Sequence, residues 1–261
     1  MSKDLKRWDQ AKAEGRRLAL LTAYDYPFAR LAASAGLDGL LVGDSLGMAV
    51  AGERDTLGVT LEDIAYHTRL VARGAGDLLV MADLPFGTYE AGPAQAMASA
   101  ATLLKAGADM VKFEGGAPMV ETVGFLAARG VPVCAHIGLT PQHVRLLGGF
   151  RRQGRGEAAA RRLAEDASAL AAAGARLLLI EAIPAPLAAE ITRAIPIPTI
   201  GIGAGGGTDA QILVLHDLLG LGLDPAPSFV KRQLDGAALV RAAMERYAAE
   251  VRERQWPALD P

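Results

Sequence analysis

Cysteine is nearly missing from this chain. One residue, Cys134, stands among 261. No intrachain disulfide is possible, and a structural zinc site, which draws on several Cys or His ligands, is disfavoured. Aromatics make up only 5% of residues while hydrophobic residues reach 51%, so a core must be built from Leu, Val, Ile and Ala. Charge of one sign is lacking too. A formal net charge of −2 gives no electrostatic reason to expect a nucleic-acid partner. No apolar run approaches the roughly 20 residues that span a bilayer. Met1 to Arg17 is charged throughout and holds no apolar signal core. Basic residues do cluster at Lys3–Arg17 and Arg145–Arg162, and the first cluster reads as a solvated helix face. The expectation is a soluble, cytoplasmic protein with no membrane partner.

What the chain does have is a regular alternation. Short apolar runs suited to buried parallel strands fall at Leu18–Thr22, Gly39–Gly43, Leu78–Ala82, Met110–Phe113, Val131–Ala135, Leu177–Ile180, Pro198–Ile202 and Gln211–Leu215. Helix patterns lie between them. Asp25–Ala35 closes at Gly36, and Thr60–Arg73 opens with a Thr-Leu-Glu-Asp capping box and stops at Gly74. Pro93–Lys105, Val120–Ala128, Glu157–Ala173 and Pro186–Arg193 follow. Eight such units predict an α/β fold of the (β/α)8 TIM-barrel class, a single domain over residues 1–261 with an additional C-terminal helix at Asp235–Glu253.

The runs end in reactive residues. Asp44, Asp83, Glu114, His136 and Glu181 each close an apolar run. Barrel enzymes assemble their sites at the carboxyl ends of the strands, so these residues read as one site. Two long connections, Ser45–Val59 and Gly138–Gly156, follow the second and fifth strands on the same face, as lids or binding loops do.

Asp44, Asp83 and Glu114 offer hard oxygen ligands with no thiolate beside them, which suits Mg2+ or Mn2+ better than zinc. Lys112 lies two residues from Glu114 and shares its strand face. An inward lysine either holds a substrate carboxylate or balances the acids. His136 can hydrogen-bond or move protons near neutral pH. Glu181 ends an apolar run and is placed to act as a base. Metal, cation, imidazole and base together suit proton abstraction beside the carbonyl of a 2-oxo acid. Cys134 reads as a small buried hydrophobe. Gly201-Ile202-Gly203-Ala204-Gly205-Gly206 matches G-x-G-x-x-G formally but falls late, after the seventh strand, so it reads as a loop needing close backbone approach rather than a dinucleotide fingerprint.

Several stretches resemble the ketopantoate hydroxymethyltransferase (3-methyl-2-oxobutanoate hydroxymethyltransferase) family. They are Thr22-Ala23-Tyr24-Asp25-Tyr26, Val42-Gly43-Asp44-Ser45-Leu46-Gly47-Met48, Ile64-Ala65-Tyr66-His67-Thr68, Ala82-Asp83-Leu84-Pro85-Phe86, Val111-Lys112 with Glu114-Gly115-Gly116, His136 with Gly138-Leu139-Thr140-Pro141-Gln142, Gln153-Gly154-Arg155-Gly156 and Gly201-Ile202-Gly203-Ala204-Gly205. The resemblance implies a barrel that makes ketopantoate, on the route to pantothenate, from 3-methyl-2-oxobutanoate and 5,10-methylenetetrahydrofolate with Mg2+. It implies Asp44 and Asp83 as metal ligands with Glu114 also at the metal. Asp44, Ser45, Asp83 and Lys112 would contact the keto acid, Glu181 would accept the proton, and His136 would line the pocket. It further implies a homo-oligomer, a decamer. Gly58, Ala135, Ala210 and His143 depart from the family pattern, and none is a proposed ligand or base. Two other readings stand beside it. One is a Mg2+-dependent 2-oxo acid lyase of the isocitrate-lyase-like type, which would call for a reactive loop cysteine. The other is a keto-acid-binding barrel without turnover.

Overall fold

The computed structural model describes residues 5–222 and 225–253. Eight parallel strands close a barrel in sequence order. They are β1 (Leu18–Thr22), β2 (Gly39–Val42), β3 (Leu79–Asp83), β4 (Met110–Glu114), β5 (Val133–Gly138), β6 (Leu177–Glu181), β7 (Thr199–Ile202) and β8 (Ala210–Leu213). Helices α1 (Lys6–Glu14), α2 (Tyr26–Ser34), α3 (Leu46–Ala49), α4 (Leu61–Gly74), α5 (Pro93–Ala106), α6 (Val120–Ala127), α7 (Val144–Leu147), α8 (Glu157–Ala172) and α9 (Ala185–Ala194) surround or flank it. The chain divides into two compact units, 1–213 and 214–261, and the first is the barrel. The second carries α10 (Leu215–Leu219) and the additional C-terminal helix α11 (Gly236–Arg252).

Local chemistry explains the helix starts. The Asp25 carboxylate accepts from Phe28 N at 2.8 Å ahead of α2. Thr60 and Asp63 form the reciprocal capping box ahead of α4. Pro93 occupies the first turn of α5, where its missing N–H costs nothing. The strands sit within three residues of their expected positions, and the shifts have causes. Pro132 has no N–H to give the ladder, so β5 begins at Val133. β8 stops at Leu213 because Val214 caps α10, so Leu215 is helical rather than extended.

Side chains alternate across each strand. The outward set, such as Val80, Val111, Phe113, Ile137 and Ile180, packs under the helices. The inward set forms a separate apolar floor from Leu20, Leu41, Leu79, Met81, Met110, Cys134, Leu177, Leu179, Ile200 and Ile212. Trp8 and Ala11 of α1 join that floor, and Trp8 is 2% exposed. The charged segment Lys3–Arg17 is therefore more than a solvated face. In its described part Trp8 and Ala11 are buried, Lys6, Arg7, Asp9, Glu14, Arg16 and Arg17 are exposed, and Lys12 turns in to Asp209 at 2.8 Å.

Candidate active site

One step above the floor, the same inward alternation turns polar. Met81 leads to Asp83, Met110 to Lys112 and Glu114, Cys134 to His136, and Leu179 to Glu181. Register makes these residues neighbours. Asp83 pairs with Lys112 across β3 and β4, Glu114 with His136 across β4 and β5, and Gly138 with Glu181 across β5 and β6.

Glycine lets the backbone pass where these groups crowd. A Cβ on Gly43 would lie 2.9 Å from Ser45 Oγ and 3.3 Å from Asp83 Oδ2. Gly138 has φ +97°, and a Cβ there would meet Glu181 O at 2.2 Å; this close approach lets Leu139 N donate to that carbonyl at 2.9 Å. Ala182, next to Glu181, is the one non-glycine residue with positive φ, 48°, among the described residues. Its carbonyl accepts from Gln153 N and its N–H donates to Ile202 O. A residue held in that region by bonds on both sides is the kind of strain that gathers at functional sites. The Gly201–Gly206 loop serves packing: Cβ atoms on Gly201 and Gly205 would fall 2.5 Å from Thr208 Oγ1 and 2.4 Å from Ala185 Cβ.

The charges form a chain around the mouth. Lys112 Nζ lies 2.7 Å from Asp83 Oδ1, with side chains 5% and 2% exposed. Asp83 Oδ2 accepts from Asp44 N at 3.1 Å. His136 stands between two carboxylates, Nδ1 3.5 Å from Glu114 Oε1 and Nε2 3.3 Å from Glu181 Oε2. Both contacts are at ion-pair range and off the hydrogen-bond line, so both ring nitrogens and Glu114 Oε1 are buried without a hydrogen-bond partner. Glu181 reaches outward, 17% exposed against 1% for His136. Ser45 Oγ is 2.9 Å from the hydroxyl of Tyr24.

Burial and crowding shift these groups. Burial first, then the charges of Asp83 and Glu114, hold the Asp44 carboxyl well above the usual range. Burial also raises Asp83, against the opposing pull of Lys112. Burial works against the Lys112 charge, but Asp83, Glu114 and Asp44 outweigh it and raise its pKa. For His136, burial and Lys112 oppose protonation, and the two flanking glutamates overcome them, raising the pKa to about 9. Burial pushes the Cys134 thiol up to about 12, which suits a packing residue and not a nucleophile.

All seven residues expected at the site lie at the carboxyl-terminal end of the barrel. Two residues that carry the arrangement were not among them. Gln142 and Tyr89 are buried at 3% and 1% exposure. Gln142 Nε2 donates to Asp44 Oδ2 at 2.8 Å, and its backbone N–H donates to Glu114 Oε2 at 3.0 Å. Tyr89 donates to Gln142 Oε1 at 2.6 Å. Among the described residues, no three His, Cys, Asp or Glu side chains converge as a ready-made metal cage. A hard cation needing only one or two carboxylates fits the donors better than a fully protein-ligated one.

A closed (β/α)8 barrel whose strand ends carry a ring of buried acids, an imidazole and a lysine is built as an enzyme. The family model of ketopantoate hydroxymethyltransferase matches residues 2–259. The 3-methyl-2-oxobutanoate hydroxymethyltransferase of Acidithiobacillus ferrooxidans is 62% identical over 257 residues, covering 98% of each chain. That of Pyrobaculum calidifontis is 55% identical over 242 residues, covering 93% of this chain and 91% of its own. The chain belongs to the ketopantoate hydroxymethyltransferase family, and it is a hydroxymethyl transferase. Among solved structures, a phosphonopyruvate hydrolase in complex with oxalate and Mg2+ superposes with a TM-score of 0.66 at 16% identity, covering 99% of this chain and 93% of its own. A 2,3-dimethylmalate lyase of the PEP mutase/isocitrate lyase superfamily superposes at 0.62 and 18% identity, over 100% and 91%. Those two likenesses concern the fold alone.

Proposed function

We propose that the enzyme transfers a hydroxymethyl group from 5,10-methylenetetrahydrofolate to 3-methyl-2-oxobutanoate, giving ketopantoate, with Mg2+ at the strand-end acids. The observation that carries this reading is the register placing Asp83 beside Lys112, Glu114 beside His136, and Glu181 at the outer rim. Asp44 and Asp83 would hold the cation, with Glu114 reaching it through water. Glu114 Oε1, buried with no hydrogen-bond partner, is the kind of acceptor such a water satisfies. When bound, the cation supplies positive charge to the carboxylate and keto oxygens of the substrate and so acidifies the adjacent C–H.

The protein residues do the rest. Lys112 and Ser45 face the keto-acid carboxylate and fix its orientation. Asp83 keeps Lys112 charged and extended. Glu181 takes the C3 proton. His136 holds Glu181 from behind through Nε2 and is itself held by Glu114, so the base keeps its aim. The resulting carbon nucleophile forms the C–C bond to the one-carbon unit of the folate, and water supplies the hydroxyl. Both N–CH2 bonds break, and tetrahydrofolate leaves with one proton from the keto acid and one from water on its two nitrogens.

The lyase reading loses its expected thiol, because Cys134 is buried inside β5. A homo-oligomer is part of the reading. Val240, Met244, Tyr247 and Val251 recur along α11 on one stripe and are exposed, as an assembly surface would be. Among the described residues no helix is long and apolar enough to cross a membrane. A cytoplasmic setting is proposed with the rest, consistent with a lone buried cysteine.

Proton NMR of the keto acid in D2O with Mg2+ and methylenetetrahydrofolate tests the reading. Hydroxymethyl signals should grow with wild type and vanish with chelator. Glu181→Gln should lose C3 proton exchange and product together. Unchanged turnover in that variant would remove Glu181 from the role of base.

A further inference from the structure

Gln142 spends every N–H donor it has inside the site. Its side-chain amide has two N–H donors, spent on Asp44 Oδ2 at 2.8 Å and Leu84 O at 2.9 Å. Its Oε1 accepts from Tyr89 at 2.6 Å. Its backbone N–H goes to Glu114 Oε2 at 3.0 Å. The amide has one possible orientation. Flipped, Oε1 would face a carboxylate and a carbonyl, neither of which carries a proton. Asp44 and Leu84 O fix the choice, and the Tyr89 hydroxyl, which lies 3.3 Å from both Glu114 N and Glu114 O, fits it with its shortest contact, 2.6 Å to Oε1.

Gln142 thereby joins four strand ends. It leaves the segment after β5, reaches Asp44 after β2 and Leu84 after β3, and holds Glu114 at the end of β4. On both carboxylates it occupies one oxygen, Oδ2 of Asp44 and Oε2 of Glu114. The second oxygen of Asp44 is left for something else, while Glu114 Oε1, buried with no hydrogen-bond partner, lies 3.5 Å from His136 Nδ1 and has a lone pair to spare for water. Two buried like charges brought together need such donors to stay in place.

We propose that Gln142 is a positioning residue for cation binding. It holds Asp44 Oδ2 and Glu114 Oε2 so that Asp44 Oδ1 faces the cation and Glu114 Oε1 faces its water, and Tyr89 steadies its amide. The inference rests on the cation reading given above. It concerns a residue that contacts neither substrate nor metal and acts through the two carboxylates. Outer partners of this kind commonly cost about 10–100-fold in metal affinity when removed.

The test is Mn2+ binding to the full-length, metal-stripped protein, followed by electron paramagnetic resonance without substrate or turnover. Gln142→Met keeps the backbone donor to Glu114 and loses all three side-chain bonds. Its Mn2+ affinity should fall about 10–100-fold, with KM for the metal rising by the same factor. Tyr89→Phe removes one hydroxyl and should weaken Mn2+ about fivefold, which keeps the inference testable if Gln142→Met does not fold. A merely structural role would lower the active fraction, and with it kcat, while the folded protein bound Mn2+ with unchanged affinity. That result in either variant overturns the proposal. Failure of the wild type to bind Mn2+ would instead overturn the cation reading, a separate outcome.

Discussion

Lys112→Met is the sharpest test of how the site is held together. Lys112 and Asp83 form a buried pair 2.7 Å apart with almost no exposure. Removing one partner leaves Asp83 charged, buried and next to Asp44. Breaking a buried pair in this way costs about 3–5 kcal/mol. A domain of this size loses about 2–4 °C of Tm per kcal/mol, so the melt should fall by about 6–20 °C. The pH dependence has a fixed sign. The folded pKa of Lys112 is raised above its ordinary 10.5, so its contribution is fully present below about 10.5 and is lost only as pH rises through the higher folded value. Wild type therefore keeps the pair throughout the working range. In the variant, Asp83 can relieve its position only by taking a proton, so the deficit should shrink toward pH 5 and grow toward pH 8. Circular-dichroism melts in chelator at fixed protomer concentration measure this. The double variant Asp83→Asn/Lys112→Met should recover most of the loss. A shift below about 2 °C, with the two substitutions additive within about 0.5 kcal/mol, would refute the account.

Two further outcomes follow from the geometry. In the metal-free protein, His136 should titrate near pH 9 by NMR, because Glu114 and Glu181 outweigh burial and Lys112. Its folded pKa lies above the ordinary 6.5, so its stabilisation is complete below about 6.5 and is lost as pH rises through about 9. Glu114→Gln should bring the midpoint down, and a wild-type midpoint at or below 6.5 contradicts the assignment. Gly138→Ala places a methyl against Glu181 O at a backbone angle of +97°. It should cost more than about 1 kcal/mol in urea denaturation and, with Glu181 as the proposed base, reduce turnover by displacing it. Wild-type activity in a stably folded Gly138→Ala protein would show that Glu181 does not depend on this crossing.

The barrel was legible because its signals are local. Leu40 to Val42 or Leu177 to Ile180 can hardly be anything but buried strand, and Asp83, Glu114, His136 and Glu181 stand where such strands end. The strands run on to include those four residues, because the ladder continues as long as neighbouring strands offer partners. Gln142 and Tyr89 could not be found this way. A glutamine after Thr140-Pro141 has the look of an exposed turn, and only the closing of the barrel carries it over Asp44 and Glu114. The short helices α3 and α7 were read as loop for a similar reason, since four residues give no period to detect. Trp8 left a faint mark, an apolar residue three positions before Ala11 in a run of charges. Strand register also decided the function of Lys112. Its sequence spacing put it on the face of Glu114, and pairing with β3 put it against Asp83.

The placement of α1 has a consequence for traffic. Trp8 and Ala11 pack into the apolar floor of the barrel, so a chamber built on that floor would open only at the strand-end face. On the proposed reading, substrate, product and the proton taken by Glu181 would then all pass through the strand-end face, where the connections after β2 and β5 lie. Isotope washout and product departure are then set by the same gate. A change that slows passage there would retain deuterium and product together.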